Sequence, residues 1–172
     1  MAKLNQKQNQ WVLSLLDLQK DDKVLEIGFG PGLNLQKIAL TNKVWGVEIS
    51  KTMLQIAQKK NKALIDSGKL QLQLAPAEQL PFVANFFDTV ISVHVIYFWP
   101  DLEKVFREIR RILKPSGLFV LYFVYPTIIS GSHFILRKPE EIMISLKKSG
   151  FKKITLKRKS FGHQKGYCLF CS

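Results

Sequence analysis

The chain has 172 residues, 47% of them hydrophobic, which suits one domain with a packed core and excludes a disordered chain. Its formal net charge of +13 creates a field that attracts anionic partners. No apolar run is long enough to span a bilayer, and the polar stretch from Met1 to Gln10 lacks the apolar centre of a secretion signal, so a cytoplasmic location is expected.

In chain order, Trp11, Val12, Leu15, Leu16 and Leu18 recur at helical spacing and predict an opening amphipathic helix. A short apolar run, residues 24–28, ends in glycine and reads as a first strand. A helix over 33–40 and a second strand over 44–48 follow. Ser50 is placed to cap a helix carrying Met53, Leu54, Ala57 and Leu64. Residues 70–74 alternate Leu and Gln, the pattern of a third strand, and residues 87–93 form a fourth.

Asp101 then caps a helix whose stripe is Leu102, Val105, Phe106, Ile109, Ile112 and Leu113. Residues 114–117 (Lys-Pro-Ser-Gly) stop that helix, and 118–124 form a fifth strand. Pro139 opens a last helix ending at Gly150, and strands near 151–158 and 164–171 lie close enough to pair as a hairpin. Alternating strands and helices predict an α/β fold: a Rossmann-like, doubly wound, mostly parallel seven-stranded sheet with a C-terminal antiparallel hairpin and helices on both faces. In such sheets ligands lie beyond the C-terminal ends of the strands, which directs attention to the loops after strands one, two and four.

Glycines at 28, 30 and 32 sit in the first of these loops, where backbone must turn tightly and approach a ligand. A dinucleotide fingerprint would require glycine at 33, and this chain has Leu33. Glu26, inside the first strand, is costly in a core without a cationic or water partner. Glu48 ends the second strand twenty residues beyond Gly28, where a carboxylate can accept both hydroxyls of a ribose.

Residues 24–32 (Val-Leu-Glu-Ile-Gly-Phe-Gly-Pro-Gly) resemble the first motif of class I S-adenosylmethionine-dependent methyltransferases. Residues 44–50, 77–82, 87–92 and 111–118 resemble that family's later motifs in the same order. The resemblance implies S-adenosylmethionine as cofactor and methyl transfer as activity. Glu26 with Gly28, Phe29, Gly30, Pro31 and Gly32 would hold the methionine part, and Glu48 the ribose. Ile49, Met53, Ala77 and Glu78 would lie by the adenine, while Ser92, Val93 and His94 would line the methyl-transfer face. The chain departs from the pattern at Pro76, where the family often has Asp or Asn bonding the adenine amino group. One domain over 1–172 is expected, with an N-terminal helix (1–20), a cofactor core (21–124), and an acceptor-side segment with the hairpin (125–172).

His94 is the candidate general base, because an unperturbed imidazole titrates near neutrality. Tyr97 and Trp99 are candidate pocket walls, Tyr125 and His133 acceptor-side candidates, and residues 125–138 a short lid. Residues 92–97 lack the Asn/Asp-Pro-Pro-Tyr/Phe signature of amino methyltransferases acting on DNA or protein amides. No cysteine near strands four and five is available for attack on a pyrimidine, and no Asp/His cluster suggests a metal.

A small organic acceptor is the first expectation. An RNA or protein acceptor recruited by the basic C-terminal region and a non-catalytic cofactor-binding subunit are the alternatives. That region, from Ile142 to Ser172, carries eight basic residues and no acid, which suits either an anionic macromolecule or a lysine-protected edge strand. Cys168 and Cys171, three apart on a strand, are expected to point to opposite faces rather than to form a metal or redox pair.

Overall fold

The computed structural model describes residues 2–125 and 134–172, with the side chains of residues 2–4 left aside. His133 and most of the expected lid segment lie outside the described residues. Seven strands form one sheet: β1 (Lys23–Ile27), β2 (Lys43–Glu48), β3 (Leu70–Leu74), β4 (Phe87–Val93), β5 (Leu113–Val124), β6 (Ile154–Phe161) and β7 (Gln164–Cys171). Their order is β3-β2-β1-β4-β5-β7-β6, with β7 antiparallel to both neighbours and the other pairs parallel. This is the Rossmann-like architecture expected from the alternation of elements. The strand order reverses between β1 and β4, so the C-terminal ends of β1, β2 and β4 frame one crevice.

Two apolar clusters cover the two faces. On one, α5 (Leu102–Ile112) and α6 (Pro139–Lys148) bury Val105, Phe106, Ile109, Ile142 and Leu146 against Phe119, Leu121 and Phe123. On the other, α1 (Ala2–Ser14), α2 (Leu33–Ile38) and α3 (Lys51–Lys60) supply Val12, Leu35, Ile38 and Ala57 against Val24, Val44, Val120 and Tyr122. Each fully buried aliphatic or aromatic side chain contributes about 1.5–3 kcal/mol, and α5 alone buries Leu102, Val105, Phe106, Ile109 and Ile112. Cys168 and Cys171 belong to different clusters, one on each face, as strand geometry requires.

The N-caps read from the sequence are present. The Ser50 hydroxyl accepts from Met53 N at 3.3 Å, and the Asp101 carboxylate accepts from Lys104 N at 2.9 Å.

Several boundaries differ from expectation, and β6 runs Ile154–Phe161 rather than 151–158. α1 begins nine residues before Trp11 and ends at Ser14, where Leu15 N and Leu16 N turn back to Val12 O and Leu13 O in tighter i−3 bonds. The helix after Ser50 breaks at buried Asn61, whose amide donates to Ala57 O at 2.9 Å, and resumes as α4 (Lys62–Asp66). β5 starts at Leu113 rather than Leu118, because residues 114–117 remain extended as a bulge, visible in the register shift between Phe87↔Leu113 and Thr89↔Leu118.

Candidate active site

The turn after β1 is built by backbone that favours glycine. Gly28 has φ +71° and Gly30 φ +52°. A Cβ on Gly28 would collide with the Val95 side chain, reaching Cγ1 at 2.7 Å. A Cβ on Gly30 would meet nothing within 4 Å, so that residue borders open space. Glu48 holds this turn from the end of β2. One carboxylate oxygen accepts from Gly30 N at 2.9 Å, the other from Ile49 N at 2.9 Å and Ser50 N at 3.0 Å.

Glu26 lies beneath, 2% exposed. Asn34 Nδ2 donates to its Oε1 at 2.8 Å, and Oε2 has no partner. Burial raises its pKa to about 7; the Asn34 bond pulls it down and nearby Glu48 pushes it up.

A cleft of about 580 Å³ opens over the ends of β1, β2 and β4. From the expected site it gathers Gly28, Gly30, Glu48, Ile49, Met53, Ala77, Glu78, Val93 and His94. Ile49 is 74% exposed and Met53 also presents open surface, an apolar slot facing Ala77. The cleft does not include Glu26, Phe29, Pro31, Gly32 or Ser92. The Phe29 ring is buried in the core beneath Gly46, Pro31 is exposed, and the buried Ser92 hydroxyl donates to Ile27 O at 3.2 Å, tying β4 to β1.

The loop carrying Ala77 and Glu78 is clamped from α5. Leu80 N donates to Glu108 Oε2 at 2.9 Å, while Arg111 donates to Leu80 O at 3.0 Å and Phe82 O at 2.7 Å. Sequence reasoning missed this clamp; its only signal is an acid and an arginine three apart on a helix. Pro76 is exposed at the start of the same turn, where its carbonyl accepts from Gln79 N.

His94 follows β4 in the left-handed region, φ +62°, with its N–H donating to Tyr122 O at 3.0 Å. Its ring packs edge-on against Tyr122 at 4.9 Å, and Nε2 is buried without a partner. Burial pushes its pKa down to about 4, so the near-neutral titration expected of a free imidazole is absent.

Trp99 lines the cleft, as expected, but Tyr97 does not. Its hydroxyl accepts from Val124 N at 2.6 Å and donates to Val124 O at 3.1 Å inside the core. The 3₁₀ turn Ile96–Phe98 instead sends Phe98 to the cleft, 53% exposed. Tyr125 packs against the α5–α6 cluster and is not among the cleft residues.

The family model described as a methyltransferase domain matches residues 25–121. The chain belongs to the class I S-adenosylmethionine-dependent methyltransferases. It is similar to the uncharacterized methyltransferase YdaC of Bacillus subtilis, 35% identical over 120 residues covering 68% of this chain and 64% of that protein. It is also similar to the chloroplastic 2-methyl-6-phytyl-1,4-hydroquinone methyltransferase of Arabidopsis thaliana, 33% identical over 80% of this chain and 42% of that protein. The chain therefore spans less than two thirds of the length of these relatives. Among solved structures, phosphoethanolamine N-methyltransferase 2 of Haemonchus contortus in complex with S-adenosyl-L-methionine shares the fold, with a TM-score of 0.81 at 20% identity over 96% of this chain and 52% of that one.

S-adenosylmethionine is the cofactor such a domain takes, and the residues present fit it. Glu26 Oε2 is a buried acceptor lacking a donor, Gly30 leaves room for close approach, and an apolar slot lies beyond Glu48.

Proposed function

We propose that this chain transfers a methyl group from S-adenosylmethionine to a small organic acceptor, with residues 1–172 acting as one domain. The observation that carries the reading is the acceptor end of the cleft, where apolar Val93, Val95, Phe98 and Trp99 line it together with the imidazole of His94. The names of two similar proteins, the Arabidopsis hydroquinone methyltransferase and the ubiquinone/menaquinone C-methyltransferase UbiE of Chromobacterium violaceum, speak for a small acceptor. A sheet that recruits strands from Lys23 to Cys171 supports the one-domain reading.

The bound cofactor supplies a methyl group already activated on a sulfonium, so alignment does most of the remaining work. In this reading Glu26 receives the cofactor's ammonium and the backbone from Gly28 to Gly32 receives its carboxylate end. Glu48 accepts from the ribose hydroxyls, while Ile49, Met53 and Ala77 flank the adenine and Glu78 borders it. Val95, Phe98 and Trp99 exclude water from the reacting atoms, and Val93 and Ser92 fix the strand end that carries His94. Neutral His94 takes the acceptor's proton where the acceptor arrives protonated.

Titration calorimetry with S-adenosylmethionine and S-adenosylhomocysteine tests the cofactor half, with Glu48→Ala expected to weaken both by about tenfold to a hundredfold. Unchanged affinity in that variant overturns the assignment. Transfer of labelled methyl to a metabolite extract tests the acceptor half, and labelling confined to RNA or protein overturns it.

A further inference from the structure

A second groove, of about 560 Å³, lies between α1 and the turned end of the β6–β7 hairpin. Lys7, Gln10 and Trp11 reach it from one helical face, and Lys159, Ser160 and Phe161 from the end of β6. The two walls are locked together. Gln8 Nε2 donates to Gln164 Oε1 at 3.0 Å, and the Trp11 ring meets Phe161 at 5.8 Å and Tyr122 at 5.9 Å, both edge-on.

The charge in this groove is uncompensated. Lys159 Nζ sits 5.8 Å from the Trp11 ring centroid and 5.7 Å from that of Phe161. Among the described residues, neither Lys7 nor Lys159 forms an ion pair, and neither the Gln10 amide nor the Ser160 hydroxyl has a hydrogen-bond partner. The sequence has no Asp or Glu from Met1 to Leu16 or from Ile142 to Ser172, so neither wall carries an acid. Protection of the β6 edge would need only lysines on the strand. It explains neither the lysine brought from α1, remote in sequence, nor the Trp11 and Phe161 rings beside Lys159.

We propose that this groove binds a nucleotide, its phosphate held by Lys7 and Lys159 and its flat ring system against Trp11. Two ammonium groups match a phosphate dianion, and the unpartnered hydroxyl and amide supply further donors. An indole beside them offers a stacking surface for any base. The shared chemistry is that of a phosphorylated nucleoside, free or within a single strand of RNA. The proposal stands apart from the methyl-transfer reading, since it concerns residues outside the cofactor cleft.

The test is equilibrium binding of uridine 5′-monophosphate with saturating S-adenosylhomocysteine present to block the cleft. The nucleotide is expected to bind at least tenfold more tightly than uridine, and Lys7→Glu/Lys159→Glu is expected to lose at least tenfold of that affinity. The milder Lys7→Gln/Lys159→Gln variant moves the same way, and both leave S-adenosylhomocysteine affinity unchanged. Equal binding of uridine and its monophosphate, or equal binding by wild type and both variants, overturns the proposal. So does protein that ignores the nucleotide yet sediments with phosphatidylglycerol vesicles. A ten-residue oligouridylate binding more than tenfold tighter than the monophosphate assigns the site to an RNA strand, and equal affinity assigns it to a free nucleotide; either outcome upholds it.

Discussion

Asn34 Nδ2 donates to one carboxylate oxygen of Glu26 at 2.8 Å, and the other oxygen is buried with no donor. The amide stabilises the ionised form, but burial outweighs it and lifts the carboxyl to about 7. Above pH 4.5 the unfolded chain has given up this proton while the folded chain keeps it, so the contribution of this group to stability falls as pH rises from about 4.5 to about 7. That window corresponds to about 3 kcal/mol. Neutral His94 adds a slope of opposite sign from about pH 4 to about 6.5, so the carboxyl is read by difference. The Tm gained by Glu26→Gln over the wild type is expected to be larger at pH 8 than at pH 5, and the variant binds S-adenosylmethionine more weakly. A Tm difference between variant and wild type that does not change with pH refutes the assignment of this slope to the Glu26 carboxyl.

Gly28 answers to two constraints at once, a left-handed backbone and a side chain, Val95, occupying the space of any Cβ. Gly28→Ala is expected to cost about 3 kcal/mol, part from backbone strain and part from overpacking. Val95→Ala in the same chain relieves the second part only. Urea denaturation of both variants checks this, and full recovery in the double variant would contradict a backbone contribution.

Much of this site was legible in the sequence because the signals are local. Glu26, Gly28, Gly30 and Glu48 sit where one strand-to-helix turn and one strand end must put them. Ser50 and Asp101 announce their helices through hydroxyl and carboxylate caps. What sequence could not supply depends on groups remote along the chain. Asn34 becomes the partner of Glu26 only once α2 packs on β1, and Arg111 reaches Leu80 and Phe82 only through the docking of α5. The exchange of Tyr97 for Phe98 at the cleft turns on a single 3₁₀ turn, whose i,i+3 geometry no alternation or helical period reveals.

His94 is neutral down to about pH 4, because burial disfavours its charged form. The unfolded chain binds this proton near 6.5 and the folded chain does not, so this group costs stability as pH falls from about 6.5 to about 4. The pH profile of kcat is therefore expected to show no step near 6.5. His94→Asn suits the left-handed backbone and is expected to keep the fold, because Asn tolerates φ near +60°. With an acceptor that arrives protonated, kcat in that variant drops by about a hundredfold while the KM for S-adenosylmethionine changes little. A wild-type kcat would remove His94 from the proton path.

Cys168 and Cys171 lie on opposite faces of β7, each inside a different apolar cluster. Burial pushes the Cys168 thiol up to about 12, and burial with the neighbouring Cys168 raises Cys171 as well. Reactivity needs the thiolate, and a shared disulfide needs side chains that converge, so this pair has neither. Iodoacetamide at pH 8 is expected to modify less than about a tenth of either thiol in the native protein and both within minutes in denaturant. Because β7 bridges β5 and β6 in the sheet, the rate of native labelling then reports opening of that strand rather than chemistry at the sulfur. Rapid modification of the folded chain, or a disulfide between the two in mass spectra of oxidised native protein, would contradict this placement of β7.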